Sequence, residues 1–272
     1  GSYTLEIRPH SVANCGGTAG NGTRGPSGTQ TITVVVPDAN PNLLAACGLD
    51  VILVLDESTS IAQTSGATTS VRTAANAFLS GLNDTGSSVA IVEFSTVARQ
   101  VFGFTEVNAA NLAILQNYVN DGSGAPQGGY DPSAAIGYTN WDDAFAKVEA
   151  LNNTRLAPLV VFITDGDPTT YGTGTPTDTD TDFTPTDPRL INAIDGADVV
   201  KTQGSHILVV GVGDGLDDTA SQERLQIISG NDVYTGGTLD LTTTDVMIVQ
   251  DFSNLGATLR QVVTELCKSS IT

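Results

Sequence analysis

Two carboxylates and three hydroxyls stand out by type and spacing: Asp56, Ser58 and Ser60 within VILVLDESTS (51–60), Thr139 within GYTNWDDAF, and Asp165 within TDGDP. The first three fall at alternate positions where an apolar run gives way to acid and hydroxyl groups, so their oxygens can face one point. Together the five make an all-oxygen shell suited to a hard divalent cation. Two other chemistries begin with an apolar strand ending in acid. A Walker B strand needs a partner loop ending in Gly-Lys-Ser/Thr to hold phosphates, and the chain contains no Gly-Lys pair. A phosphotransferase with a nucleophilic aspartate needs a second aspartate two residues on, where this chain has Ser58, and no lysine is conveniently placed near a later strand.

The elements that must position these groups follow from periodicity. From Leu49 onward strand and helix patterns alternate, which predicts an α/β fold: a doubly wound, mostly parallel sheet with helices on both faces. Strands are expected at 50–55, 88–94, 100–105, 159–164, 206–212 and 245–249, and helices at 70–82, 109–120, 141–151, 190–202, 221–229 and 252–266. In the last helix Phe252, Leu255, Leu259, Val262, Val263 and Leu266 recur at helical spacing and suit a face on the sheet. SSVAIVEFS and RQVFGFTEV are too close for a crossover helix, so they predict an antiparallel hairpin at one edge. Ligands of open α/β sheets bind beyond the carboxyl ends of strands where the winding reverses, which is where Asp56 and Asp165 are delivered. Residues 1–46 differ in texture: two β-rich stretches flank a glycine-rich loop, and they read as an N-terminal extension or the remnant of a neighbouring module. The body spans 47–268, and 269–272 begins a linker.

Charge narrows the partners. Eleven Lys plus Arg against 30 Asp plus Glu give a formal net charge of -19, which repels nucleic acid and anionic lipid and attracts cations. The sequence has no run long and apolar enough for a membrane helix, and Gly1-Ser2 reads as a cloning remnant, so a signal peptide or anchor could have been trimmed. Cys47 and Cys267 bracket a segment without cysteine. Chain ends of a doubly wound domain are often close, which makes a bridge between the two reasonable. Unpaired thiols are the alternative, and Cys15 is left over or competes for Cys47.

The sequence resembles the von Willebrand factor type A domain. LDVILVLDESTSI, VAIVEFS, YTNWDDAF, VVFITDGDP and GSHILVVGVG carry the resemblance in order, and Asp56-x-Ser58-x-Ser60, Thr139 and Asp165-Gly166 match the family's metal-ion-dependent adhesion site. The resemblance implies a bound divalent cation, with Mg²⁺ expected and Mn²⁺ or Ca²⁺ possible. Ser58, Ser60 and Thr139 would coordinate it directly or through water, and Asp56 and Asp165 would supply charge. It further implies an open position that grips an Asp or Glu carboxylate of a partner protein on a host, matrix or neighbouring cell. The flanking cysteines and the ELCKSSIT ending look like bacterial surface proteins, which implies an extracellular, monomeric adhesion module of a larger chain and no enzyme. A disulfide-clamped pilus or stalk segment, whose metal only stiffens the sheet top, is the alternative.

Each feature also has a plainer meaning. Ser58, Ser60 and Thr139 could be hydroxyls capping helices. Glu57, Asp142 and Asp167 read as supporting or capping groups, Trp141 as core. The DTDTD run with Asp178, Asp180 and Asp182 reads as a solvated loop before it reads as a second calcium site. No nucleophile and base can be assembled around His10 or His206. Asn21, Asn83 and Asn152 fit the N-glycosylation pattern, which is common by chance.

Overall fold

The computed structural model describes residues 2–7, 30–44, 46–120, 128–133, 137–174, 183, 187–216 and 218–268. The chain divides into two compact units, Gly1–Pro37 and Asp38–Thr272. In the first, strands β1 (Ser2–Ile7) and β2 (Gln30–Val35) pair antiparallel, from Ser2 opposite Val35 to Ile7 opposite Gln30. Cys15, His10 and Asn21 lie outside the described residues, as do Asp178, Asp180 and Asp182.

The second unit is built on a seven-stranded sheet. Its strands are β3 (Asp50–Asp56), β4 (Ser88–Phe94), β5 (Ala98–Glu106), β6 (Leu159–Thr164), β7 (His206–Val212), β8 (Val233–Tyr234) and β9 (Val246–Val249). The spatial order is β5-β4-β3-β6-β7-β9-β8, with β5 antiparallel to β4 and every other pair parallel. The α/β architecture and the antiparallel edge hairpin are those the periodicity predicts. Strands β4, β6 and β7 are buried along their whole length, as expected of strands covered on both faces, and hence they read as mostly apolar runs. The edge strand β5 is mostly exposed or half-buried, with only Ala98 and Val101 buried. The short β8 has no sequence counterpart among the expected strands, because two residues cannot express a period.

Helices α1 (Thr59–Gln63), α2 (Ala67–Leu82), α3 (Ala109–Val119), α4 (Trp141–Asn152), α5 (Pro188–Gln203), α6 (Thr219–Ile228) and α7 (Phe252–Lys268) complete the unit. Along β3 the side chains alternate: Val51, Leu53 and Leu55 join the core with Phe78 and Leu79 of α2 and Leu255, Leu259 and Val262 of α7. The intervening Ile52 and Val54 are also fully buried. On β6, Phe162 stacks on Phe145 of α4 at 5.0 Å and on Phe94 at 5.1 Å, with Trp141 edge-on at 6.2 Å. Trp141 is therefore core.

Several helix starts are capped by the side chains their positions suggest: Asn108, Asn140, Asp187 and Asp218 accept backbone N–H groups of α3 to α6. The body is also closed covalently. Cys47, before β3, is bridged to Cys267 in the last turn of α7, with Cα atoms 4.6 Å apart. Residues ahead of Cys47 take part in the second unit as well: the Asn40 amide exchanges hydrogen bonds with the backbone of Ile207. Leu43 is buried and its N–H donates to Thr242 O. His206 is buried between the carbonyls of Pro41 and Thr244. Asn152 is buried and spent on Gln203, Ser205 and Ala157. No described helix is long and apolar enough to cross a membrane.

Candidate metal centre

The winding reverses between β3 and β6: from β3 the chain steps outward to β4, and later returns to β6 on the other side. The two strands pair in register to Leu55 opposite Ile163, so Asp56 and the residues after Thr164 emerge at neighbouring strand ends. Four candidate donors meet there. The Ser58 N–H donates to Asp56 Oδ1 at 2.8 Å, the Ser58 and Ser60 hydroxyls are 3.0 Å apart, and Ser60 Oγ donates to Asp165 Oδ1 at 2.7 Å. Asp56, Ser58 and Asp165 are buried, while Ser60 faces solvent.

Among the described residues no hydrogen bond joins Thr139 to these four; its backbone ties it instead to the segment that follows Asp165. Its N–H donates to Thr169 Oγ1 at 2.8 Å, and its carbonyl accepts the N–H groups of Thr169 and Thr170 at 2.8 and 3.2 Å. Thr139 is buried, and its hydroxyl makes no hydrogen bond among the described residues.

The capping alternative can be weighed against this geometry. Ser58 occupies the N-cap position of α1, yet its side chain makes no capping hydrogen bond. The cap of α4 is Asn140, whose side chain accepts from Asp143 N–H, and not Thr139. The donor spacing also suits a small cation. On an octahedron with ligands at about 2.1 Å, adjacent oxygens are about 3.0 Å apart, close to the 3.0 and 2.7 Å found around Ser60 Oγ. Among the described residues no three acid, histidine or cysteine side chains gather into a metal cluster, so a metal here would depend on the hydroxyls.

Electrostatics point the same way. Burial, opposed by hydrogen bonds from Ser58, Thr164 and the Asp165 backbone, holds Asp56 above its ordinary value. Asp165 is raised by burial and then by the charge of Asp56. Among the described residues neither carboxylate forms a salt bridge with a Lys or Arg. Two neighbouring buried acids without a cation are costly to ionise together. The residues present therefore fit a divalent ion.

Thr164, Tyr130 and Arg72, which no sequence pattern marks, support this arrangement, beside the expected supporting groups Glu57, Asp142 and Asp167. Thr164 Oγ1 donates to Asp56 Oδ2 at 2.7 Å, and the buried Tyr130 hydroxyl donates to the Asp56 carbonyl at 2.7 Å. Burial keeps that phenol neutral and able to donate. Arg72 in turn holds the Tyr130 carbonyl from Nη2 and Nε at 2.6 and 3.2 Å. Glu57 turns away from the donors to Arg99 and the Asp131 N–H. Asp142 accepts the Gly172 N–H, and Asp167 binds Arg224 through two hydrogen bonds of 2.7 and 2.6 Å. The latter contact ties the turn after Asp165 to α6, while Arg224 and Arg189 each lie over the Phe183 ring, at 4.4 and 4.3 Å.

Comparisons place the fold among known proteins. The model of the von Willebrand factor type A domain matches residues 50–261. The pilus adhesin SpaC from Lactobacillus rhamnosus GG is similar over 85% of this chain and 32% of its own, with 16% identity and a TM-score of 0.58. The vWF domain of the type V pili tip protein Mfa5 from Porphyromonas gingivalis is similar over 84% and 97%, with 14% identity and a TM-score of 0.58. Proximal thread matrix protein 1 of the mussel byssus, with a zinc-occupied MIDAS motif, is similar over 84% and 49%, with 16% identity and a TM-score of 0.51. This chain thus spans about a third of SpaC and half of the byssus protein. No curated protein matches the chain.

Proposed function

The chain belongs to the von Willebrand factor type A family, and on that premise we propose that it is an extracellular adhesion module that binds a partner protein through a metal held by Asp56, Ser58, Ser60, Thr139 and Asp165. The observation that carries this reading is the cluster around Ser60 Oγ, with oxygens of Ser58 and Asp165 at 3.0 and 2.7 Å. A bound divalent cation would supply Lewis-acid attraction for a carboxylate oxygen of the partner. The chain's part is to keep two carboxylates and three hydroxyls together and to leave the Ser60 side open to solvent. Hydroxyls donate less charge to a cation than carboxylates do, so a site with only two acids keeps affinity for a third, external one. Mg²⁺ suits the donor set best; Mn²⁺, Ca²⁺ and the zinc found in the byssus relative belong in the same titration. The pilus adhesin and the pili tip protein that share the fold support a place on a cell surface, and the acidic composition argues against nucleic acid as partner. The proposal makes the domain a binding module and not an enzyme.

The test uses Mn²⁺ and acetate as probes. Calorimetry should show one Mn²⁺ per chain, absent in the Asp56→Ala variant. In the Mn²⁺-loaded protein the acetate methyl protons should relax faster, and EDTA should abolish the effect. Stoichiometric Mn²⁺ with no acetate effect would favour a stalk segment stiffened by metal. No Mn²⁺ binding at all would overturn both.

A further inference from the structure

Thr59 stands between two of the proposed donors at the first position of α1, and its side chain is bonded to the segment that carries a third. Its hydroxyl donates to the Gly137 carbonyl at 2.8 Å and accepts the Gly137 N–H at 2.8 Å, while its own N–H donates to the same carbonyl at 3.1 Å. One side chain and one backbone amide thus clasp a single residue 78 positions away, two residues ahead of Thr139. On the far side Thr169 clasps Thr139 in a similar way, accepting its N–H and donating to its carbonyl. The Thr139 hydroxyl itself is bonded to nothing among the described residues, so its place is set by the backbone on either side of it.

We propose that Thr59 is the positioning residue for Thr139: its clasp on Gly137 locks the second donor segment to the first before any metal arrives. The inference rests on reading Thr139 as a metal donor. Physically, the clasp replaces an entropic cost at binding with structure already formed in the free protein. A valine at 59 keeps the branched shape but loses both hydroxyl bonds to Gly137. A serine keeps the hydroxyl.

The first readout needs no metal. In the metal-free protein the Gly137 amide should be protected from hydrogen exchange, protection that Thr59→Val loses and Thr59→Ser keeps. The second readout is Mg²⁺ affinity. Loss of two neutral hydrogen bonds predicts roughly tenfold weaker binding in Thr59→Val, near-normal binding in Thr59→Ser, and little further loss when Thr59→Val is added to Thr139→Ala. That non-additivity separates positioning from general destabilisation. Equal losses of Mg²⁺ affinity from Thr59→Val in the wild-type and Thr139→Ala backgrounds would overturn the proposal, as would an unprotected Gly137 amide in the wild type, which applies even if the valine variant fails to fold. A wild-type chain that binds no Mg²⁺ fails at the earlier step and removes the adhesion reading as well.

Discussion

Replacing Arg99 with leucine should destabilise the protein by an amount that depends strongly on pH. Glu93 on β4 is fully buried and Glu57 is 3% exposed, and both carboxylates are paired with this one guanidinium. Nη2 lies 2.8 Å from Glu93 Oε2 and 3.0 Å from Glu57 Oε2, Tyr118 donates to Glu93 Oε2 at 2.7 Å, and Glu93 Oε1 has no hydrogen-bond partner among the described residues. Removing one partner of a buried pair costs about 3–5 kcal/mol. The Arg99 side chain is 49% exposed, so water reaches the vacated position, and we discount the loss to about 2–3 kcal/mol. For a domain of this size that is a fall in Tm of roughly 5–10 °C. Burial first and the Glu57 charge next hold Glu93 above the ordinary carboxylate range, and burial raises Glu57 also. A folded pKa above the unfolded one means that the folded state binds the extra proton: stability is fullest in acid and declines as pH rises toward the folded value. Arg99 offsets that decline by pairing with the ionised forms. The Leu variant should therefore melt close to wild type near about pH 5 and show the full loss near about pH 8. Calorimetric melts at both pH values, with Glu93→Gln alone and combined with Arg99→Leu, measure it. An equal loss at both pH values, or strictly additive effects of the two substitutions, would refute the argument.

Reducing the Cys47–Cys267 bridge, or replacing both cysteines with serine, releases a loop with a sequence separation of 220. The loop-entropy relation gives about 5 kcal/mol, hence a Tm drop of roughly 10–20 °C; an unchanged melting curve would show that the unfolded chain is not what the bridge restrains. Since Asp56 and Asp165 are both raised in the metal-free protein, a cation must compete with protons for them. Mg²⁺ affinity should rise with pH into the neutral range with release of protons, measurable by calorimetry in buffers of different ionisation heat, and a flat profile would contradict it. A Gly81→Ala change places a Cβ 2.7 Å from Val263 Cγ1 at the contact of α2 with α7. Overpacking at about 1–3 kcal/mol should outweigh the gain of up to about 1 kcal/mol in helix propensity, so a higher Tm would count against this packing.

What could be read from the sequence was what is local. The parallel strands announce themselves because burial on both faces demands mostly apolar runs, and Ser58 and Ser60 stand out by their spacing after Asp56, although β3 ends at Asp56 and Ser60 already lies in α1. Thr59 stays concealed, because its hydroxyl matters only once Gly137 is beside it, and no spacing rule links residues so far apart. Thr164 passes for an ordinary β-branched strand residue although its hydroxyl supports Asp56. Tyr130 sits in a glycine-rich stretch with no period, and its only signal was general: a buried phenol needs a polar partner, here the Asp56 carbonyl. Glu93 was the clearest missed signal. A single acid inside the apolar run VAIVEF has to be compensated if the strand is central, and the compensating arginine lies across the predicted hairpin, where Glu93 pairs with Arg99 in register. A hairpin therefore carries more than topology: once its register is known, the acid on one strand names its cation on the other, and the site beside Asp56 acquires its electrostatic boundary.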